Sequence, residues 1–103
     1  FKLELIEMLN RLFVSGKSCS DKVRQGALIV DVRSASEFQA GHVKGSINVP
    51  VEEIYTHVDS LAKKELPLVL CCASGMRSAR ATNILKSHGL DVCNGGSWKS
   101  LNH

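Results

Sequence analysis

The sequence predicts an α/β domain with a mainly parallel central sheet. Two short, continuously apolar runs, "ALIVDV" at 27–32 and "LPLVLCC" at 66–72, have the pattern of strands buried on both faces. Helix-period segments alternate with them, and glycine or proline marks the joins. A chain of 103 residues is long enough to bury one core and too short for two, so residues 1–103 are expected to form a single domain.

Taken in order, Leu3, Leu5, Ile6, Leu9, Leu12 and Phe13 recur at three- and four-residue spacing. Residues 2–14 therefore read as an amphipathic helix, and 1–16 as a leading segment that ends at Gly16. The stretch "GKSCSDKVRQG" reads as a polar connection to the first strand. Ser34 stands three residues ahead of Glu37, the spacing of a capping box, and opens a short helix. A turn and a brief strand around 46–49 are expected from "GHVKGSINVP", and a helix over 51–64 that stops before Pro67. After the strand at 66–72, "SARATNILKSHG" is a helix closed by Gly89. "LDVCNGG" is a last strand, and "SWKSLNH" adds a helical turn.

Composition excludes several function classes. Hydrophobic residues at 44% and charged residues at 22% are ordinary for a globular chain, and the net charge of +3 comes from scattered rather than clustered cations. No basic stripe for nucleic acid is present, and no apolar run approaches the roughly 18 residues of a membrane span. The charged opening segment argues against the apolar centre of a signal peptide, although a leader already removed would leave no trace. The four cysteines (Cys19, Cys71, Cys72, Cys93) lack zinc-site spacing, so no metal is expected. Two of them are neighbours and the chain has enough apolar content to fold without staples, which argues against a disulfide framework and for a reducing compartment. The cytoplasm is the expected location, with the periplasm the alternative if a leader has been lost.

The chemistry concentrates in "CCASGMRS" at 71–78, at the carboxyl end of a strand, where open α/β sheets place their ligands. The backbone N–H groups of Ala73, Ser74, Gly75, Met76, Arg77 and Ser78 can curl towards one point as an anion nest. The following helix adds its positive end, and Arg77 adds a full charge. Each stabilises a thiolate, a nucleophile made by its surroundings rather than by a base. Strand alternation forbids Cys71 and Cys72 from sharing a face. Cys72, last before the turn, leads the loop, while Cys71 is a small apolar residue under the sheet or, if Cys72 oxidises, a resolving thiol.

Two motifs in this order resemble those of rhodanese-like domains. "LIVDVRSASEFQAGHVKGSINVP" (28–50) resembles the first hallmark of that family, and "CASGMRS" (72–78) its active-site loop; "NGG" with Trp98 resembles the closing segment. The likeness covers residues 20–102. It implies a small α/β sulfurtransferase with a central mainly parallel sheet flanked by helices on both faces; separately, a monomer is expected. It implies a relay in which Cys72 takes sulfur from thiosulfate or a similar small anionic donor as a persulfide. Cyanide in the assay, or a thiol that can belong to a protein, then removes that sulfur. No cofactor is implied. Six positions from Cys72 to Arg77 resemble the sulfur-transferring members; the related dual-specificity phosphatases have seven, so phosphatase or arsenate reductase activity is not expected.

Competing readings are a persulfide carrier fed by a protein partner and a non-catalytic interaction module. Asp31 and Arg33 are read as groups behind the cradle or as a structural ion pair with Glu37 or a neighbour. Arg77 either binds a donor's sulfonate or braces the loop. His42 is expected to hydrogen-bond structurally and Trp98 to wall the core or pocket. Met76 is read as a rim residue that sets access for the acceptor, and Arg80 and Lys86 as a solvated helix face or, alternatively, as cations that steer anions.

Overall fold

The computed structural model describes residues 19–101. The leading helix expected within 1–16 lies outside the described residues. The elements are α1 (Cys19–Arg24), β1 (Leu28–Asp31), α2 (Ala35–Ala40), β2 (Ile47–Asn48), a 3-10 turn (Val51–His57) running into α3 (Val58–Ala62), β3 (Leu68–Cys72), α4 (Met76–Ser87), β4 (Val92–Ser97) and α5 (Trp98–Leu101). All four strands are parallel, in the order β2-β1-β3-β4. The fold is therefore α/β, as the sequence predicts.

Strand alternation sorts the core into two layers. Val30, Val32, Leu68, Leu70 and Cys72 face one side, where they meet Val51, Ile54, Leu61, Ala81 and Leu85. Ile29, Val69 and Cys71 face the other, with Val43, Leu101, Cys19, Val23 and Trp98. Every residue of β3 is buried, which explains why its sequence shows no polar alternation. Cys71 and Cys72 are both buried and lie on opposite faces, as the pleat requires.

Two expectations need correcting. Residues 51–64 are not one α-helix but a 3-10 turn followed by five α-helical residues. Only Val51, Ile54 and Leu61 are buried there, and the three-residue step from Val51 to Ile54 suits the tighter winding of the first part. The polar connection after Gly16 contains α1, whose Lys22 reaches Asp91 at 3.4 Å. Its Cys19 forms a disulfide with Cys93, across a Cα separation of 6.2 Å. Partners 74 residues apart in sequence meet only because α1 lies against β4. The expectation of unpaired cysteines therefore holds for Cys71 and Cys72 alone, and the argument for a reducing compartment loses that support. No helix among the described residues is long and apolar enough to cross a membrane.

The feature of the sheet that matters most for the site is a bulge. Leu70 pairs with Asn94, but Cys71 pairs with Gly96, so Gly95 is the extra residue. A Cβ on Gly95 would stand 2.8 Å from Val69 Cγ1, 2.9 Å from Leu101 Cδ1 and 3.0 Å from the Leu70 carbonyl. Gly95→Ala is expected to cost about 1–3 kcal/mol by overpacking, read as a lower urea midpoint with an unchanged slope.

Candidate functional site

The carboxyl end of β3 and the start of α4 meet at the Cys72 sulfur. The chain leaves β3 at Cys72 and turns through Ala73, Ser74 and Gly75 into α4. Gly75 takes φ +103°, a left-handed conformation open to glycine, and caps α4 without a side chain. Its N–H donates to Cys72 Sγ at 3.0 Å. A Cβ there would approach Gly96 Cα to 3.3 Å, so the turn also needs glycine to lie against β4. Ser78 Oγ lies 3.4 Å from Sγ.

These contacts decide the acidity of the sulfur. Burial alone would raise the Cys72 thiol, but the Ser78 hydroxyl and the N–H groups of Ser78, Gly75 and Ser74 together outweigh it and bring the thiol down to about 7. Cys71 has no such cradle: burial first, and the Asp31 carboxylate after it, push its thiol up to about 12. The neighbouring cysteines are thus a reactive thiol and an inert one. Of the ring expected from Ala73 to Ser78, the N–H groups of Ser74, Gly75 and Ser78 act on the sulfur. Ala73 and Met76 form the exposed rim, with Met76 81% accessible.

Arg77 differs from the simple expectation of a charge aimed at the sulfur. Its guanidinium grips Glu37 in a two-pronged pair, Nη1 to Oε1 at 2.7 Å and Nη2 to Oε2 at 3.1 Å. Glu37 is pre-positioned by the capping box of α2, in which its N–H donates to Ser34 Oγ and the Ser34 N–H donates to its carboxylate. Arg77 foremost, with the Ser34 N–H, holds the Glu37 carboxyl down at about 2. The pair therefore stays intact as pH falls from neutrality and is lost only as pH approaches that value. Arg77 acts here as a brace, linking the first turn of α4 to α2.

Asp31 and Arg33 pair with each other rather than with Glu37. Arg33 Nη2 donates to Asp31 Oδ2 at 2.7 Å and Nε to Oδ1 at 2.9 Å, both residues being buried. Nη2 also donates to the Gly41 carbonyl at 2.7 Å, and the guanidinium lies 4.5 Å from the Trp98 ring centre. Asp31 aligns with Cys71 across the β1–β3 ladder. The pair thus stands behind the sheet from the Cys72 sulfur, and any effect on it passes through β3. His42 is exposed and bonds the Phe38 carbonyl through Nδ1 at 2.7 Å, a local structural role.

Two contributors are not evident from residue type alone. Asn48 Nδ2 donates to the carbonyls of Asp31 and Arg33, both at 2.9 Å, and ties off the end of β1. Asn94 reaches both the loop and Ser78: Ser78 Oγ donates to its Oδ1 at 2.6 Å, and its Nδ2 donates to the Gly75 carbonyl at 3.1 Å. The available signal was its place beside two glycines at the carboxyl end of a strand. Among the described residues no His, Cys, Asp and Glu cluster could hold a metal ion.

Comparison with known proteins gives the family. The model of the rhodanese-like domain matches residues 15–100. The chain belongs to the rhodanese-like domain family. An adenylyltransferase and sulfurtransferase, MOCS3 of Drosophila persimilis, is 38% identical over 92 residues, 82% of this chain and 20% of that protein. A tRNA uridine(34) hydroxylase of Hamiltonella defensa is 40% identical over 68 residues, 61% of this chain and 19% of that protein. A solved structure described as rhodanese with anions from E. coli superposes with a TM-score of 0.66 at 29% identity, covering 72% of this chain and 89% of that one. This rhodanese-like chain spans between 19% and 49% of the length of the first curated relatives it matches.

The acidity of Cys72 can be checked directly. Its rate of alkylation by iodoacetamide should rise with pH through a midpoint near 7, with Cys71 unlabelled. Gly75→Ala should displace the N–H from the sulfur and slow labelling at neutral pH by roughly tenfold or more.

Proposed function

We propose that the domain is a sulfurtransferase that carries sulfane sulfur as a persulfide on Cys72. The observation that carries this reading is the 3.0 Å hydrogen bond from the Gly75 N–H to a buried Cys72 sulfur, within a loop whose other donors converge on the same atom. In the first step the Cys72 thiolate attacks the outer sulfur of thiosulfate or a similar donor. A sulfur–sulfur bond to Cys72 forms, the bond from the outer sulfur to the sulfite group breaks, and sulfite leaves with the electron pair. The anionic outer sulfur of the persulfide is then held by the same class of N–H donors. In the second step an acceptor, cyanide in the assay or a thiol in the cell, attacks that sulfur and returns Cys72 as the thiolate. Since Cys72 is fully buried, the exposed rim at Ala73, Ser74 and Met76 has to part for each encounter.

A second reading of the donor has its own support. Glu37 holds two of the five N–H donors of the Arg77 guanidinium and sets a carboxylate charge beside it, which opposes the sulfonate of thiosulfate. That favours a persulfide on a small molecule or protein as the working donor, with thiosulfate a weaker substitute.

Mass spectrometry after incubation with thiosulfate should find one added sulfur atom on Cys72, removed by cyanide and absent in Cys72→Ser. A folded protein that acquires no sulfur from thiosulfate or a low-molecular-weight persulfide would instead support the interaction-module reading. Glu37→Gln releases Arg77 and should lower KM for thiosulfate by roughly three- to tenfold, with less effect on a persulfide donor, which has no sulfonate. An unchanged KM would mean that Arg77 acts only as a brace.

A further inference from the structure

The Ser78 hydroxyl stands between two acceptors and has one hydrogen to give. Asn94 Oδ1 lies 2.6 Å from Ser78 Oγ, whereas Cys72 Sγ lies 3.4 Å away. The orientation of the Asn94 amide is set by its neighbours. The Gly96 N–H donates to Oδ1 at 3.0 Å, and Nδ2 donates to the Gly75 carbonyl at 3.1 Å. Rotating the amide by half a turn would set donor against donor and acceptor against acceptor. Oδ1 must therefore face Ser78, and the hydroxyl hydrogen lies on the line to Asn94. In that state Ser78 offers the sulfur a lone pair, which suits Cys72 as a thiol donating its S–H. A thiolate needs the opposite arrangement, with the hydroxyl hydrogen turned towards sulfur.

We propose that Asn94 is a positioning residue that competes with Cys72 for the Ser78 hydrogen, and so sets how readily the nucleophile ionises. On ionisation the S–H proton leaves to solvent, and the Ser78 O–H swings from Asn94 Oδ1 to Sγ. The Gly96 N–H remains as a donor to Oδ1, so the asparagine oxygen is not orphaned by the exchange. No covalent bond other than S–H changes. The bulge at Gly95 makes the arrangement possible, since it places Asn94 opposite Leu70 and Gly96 beside Gly75. Other charged or titratable groups around the sulfur are unaffected by a change at Asn94. They are Arg77 of α4 with its partner Glu37 of α2, Glu52 of the 3-10 turn acting on Arg77, and Cys71 with Asp31 and Arg33 behind the sheet.

The inference rests on Cys72 as the reacting group but not on its substrate, so it is read without sulfur transfer. The pH midpoint for Cys72 is measured by iodoacetamide labelling and by the ultraviolet absorbance of the thiolate. The proteins compared are wild type, Asn94→Ala, Asn94→Leu, Ser78→Ala and the Ser78→Ala/Asn94→Ala double variant. Both Asn94 variants should move the midpoint down by roughly half to one pH unit, because the hydroxyl hydrogen is then free for the thiolate. In the Ser78→Ala background, replacing Asn94 should leave the midpoint where Ser78→Ala put it. Circular dichroism confirms the fold, which exposed Asn94 should tolerate losing. A midpoint that rises or stays put in folded Asn94 variants would show that Asn94 only braces Gly75, and would overturn the proposal. An equal downward shift in the Ser78→Ala background would overturn it too, since the effect would then not pass through Ser78.

Discussion

The left-handed turn at Gly75 is the constraint on which the site depends. It bends the chain from β3 into α4 tightly enough for its N–H to meet the Cys72 sulfur, while its carbonyl accepts from Asn94. Its Cα side lies against Gly96, with no room for a larger residue on that face. A side chain at Gly75 would both strain the turn and lift α4 away from β4. The N–H groups of Ser74, Gly75 and Ser78 would then lose their aim, and burial would push the thiol up against fewer donors. Cys72 near 7 and Cys71 near 12 differ because the donors of the turn and Ser78 reach only the first, while deeper burial and the Asp31 carboxylate act on the second.

Two ion pairs support this arrangement from different sides. Glu37 and Arg77 join α2 to the start of α4 in front of the sheet, partly open to solvent. Asp31 and Arg33 join the end of β1 to Gly41 and Trp98 behind it, almost wholly out of water. The buried pair tolerates its burial because nearly every polar atom has a partner: Asp31 accepts from Arg33 along both oxygens and from the Arg33 N–H. The front pair has another consequence. It spends the one cation of the Cys72 loop on a carboxylate of the same chain, so hydrogen-bond donors rather than net charge define the cradle.

Membership of the rhodanese-like family and the curated relatives give this cradle its context. MOCS3 joins sulfurtransferase to adenylyltransferase in one chain, and this chain spans about a fifth of that protein. The solved E. coli rhodanese matches over most of both chains. The matched unit thus occurs both in short chains and within longer ones.

The sequence by itself determined the fold class, the capping box at Ser34 and Glu37, and the separation of Cys71 from Cys72, because each follows from local periodicity or spacing. A continuously apolar run must be buried on both faces of its strand, and a strand that ends at Cys72 must leave Cys71 behind the sheet. Tertiary structure decided the remainder. Glu37 was legible as a helix cap, but its hold on Arg77 spans 40 residues and depends on where α2 packs. Cys19 and Cys93 were legible as unremarkable thiols until α1 lay against β4. The loop from Cys72 to Ser78 was readable as an anion nest, yet the fate of the Ser78 hydrogen depends on Asn94, brought there by a bulge at Gly95 that no local pattern announces. Long-range partners follow from packing rather than spacing, and the competition for a single hydroxyl hydrogen lies at that level.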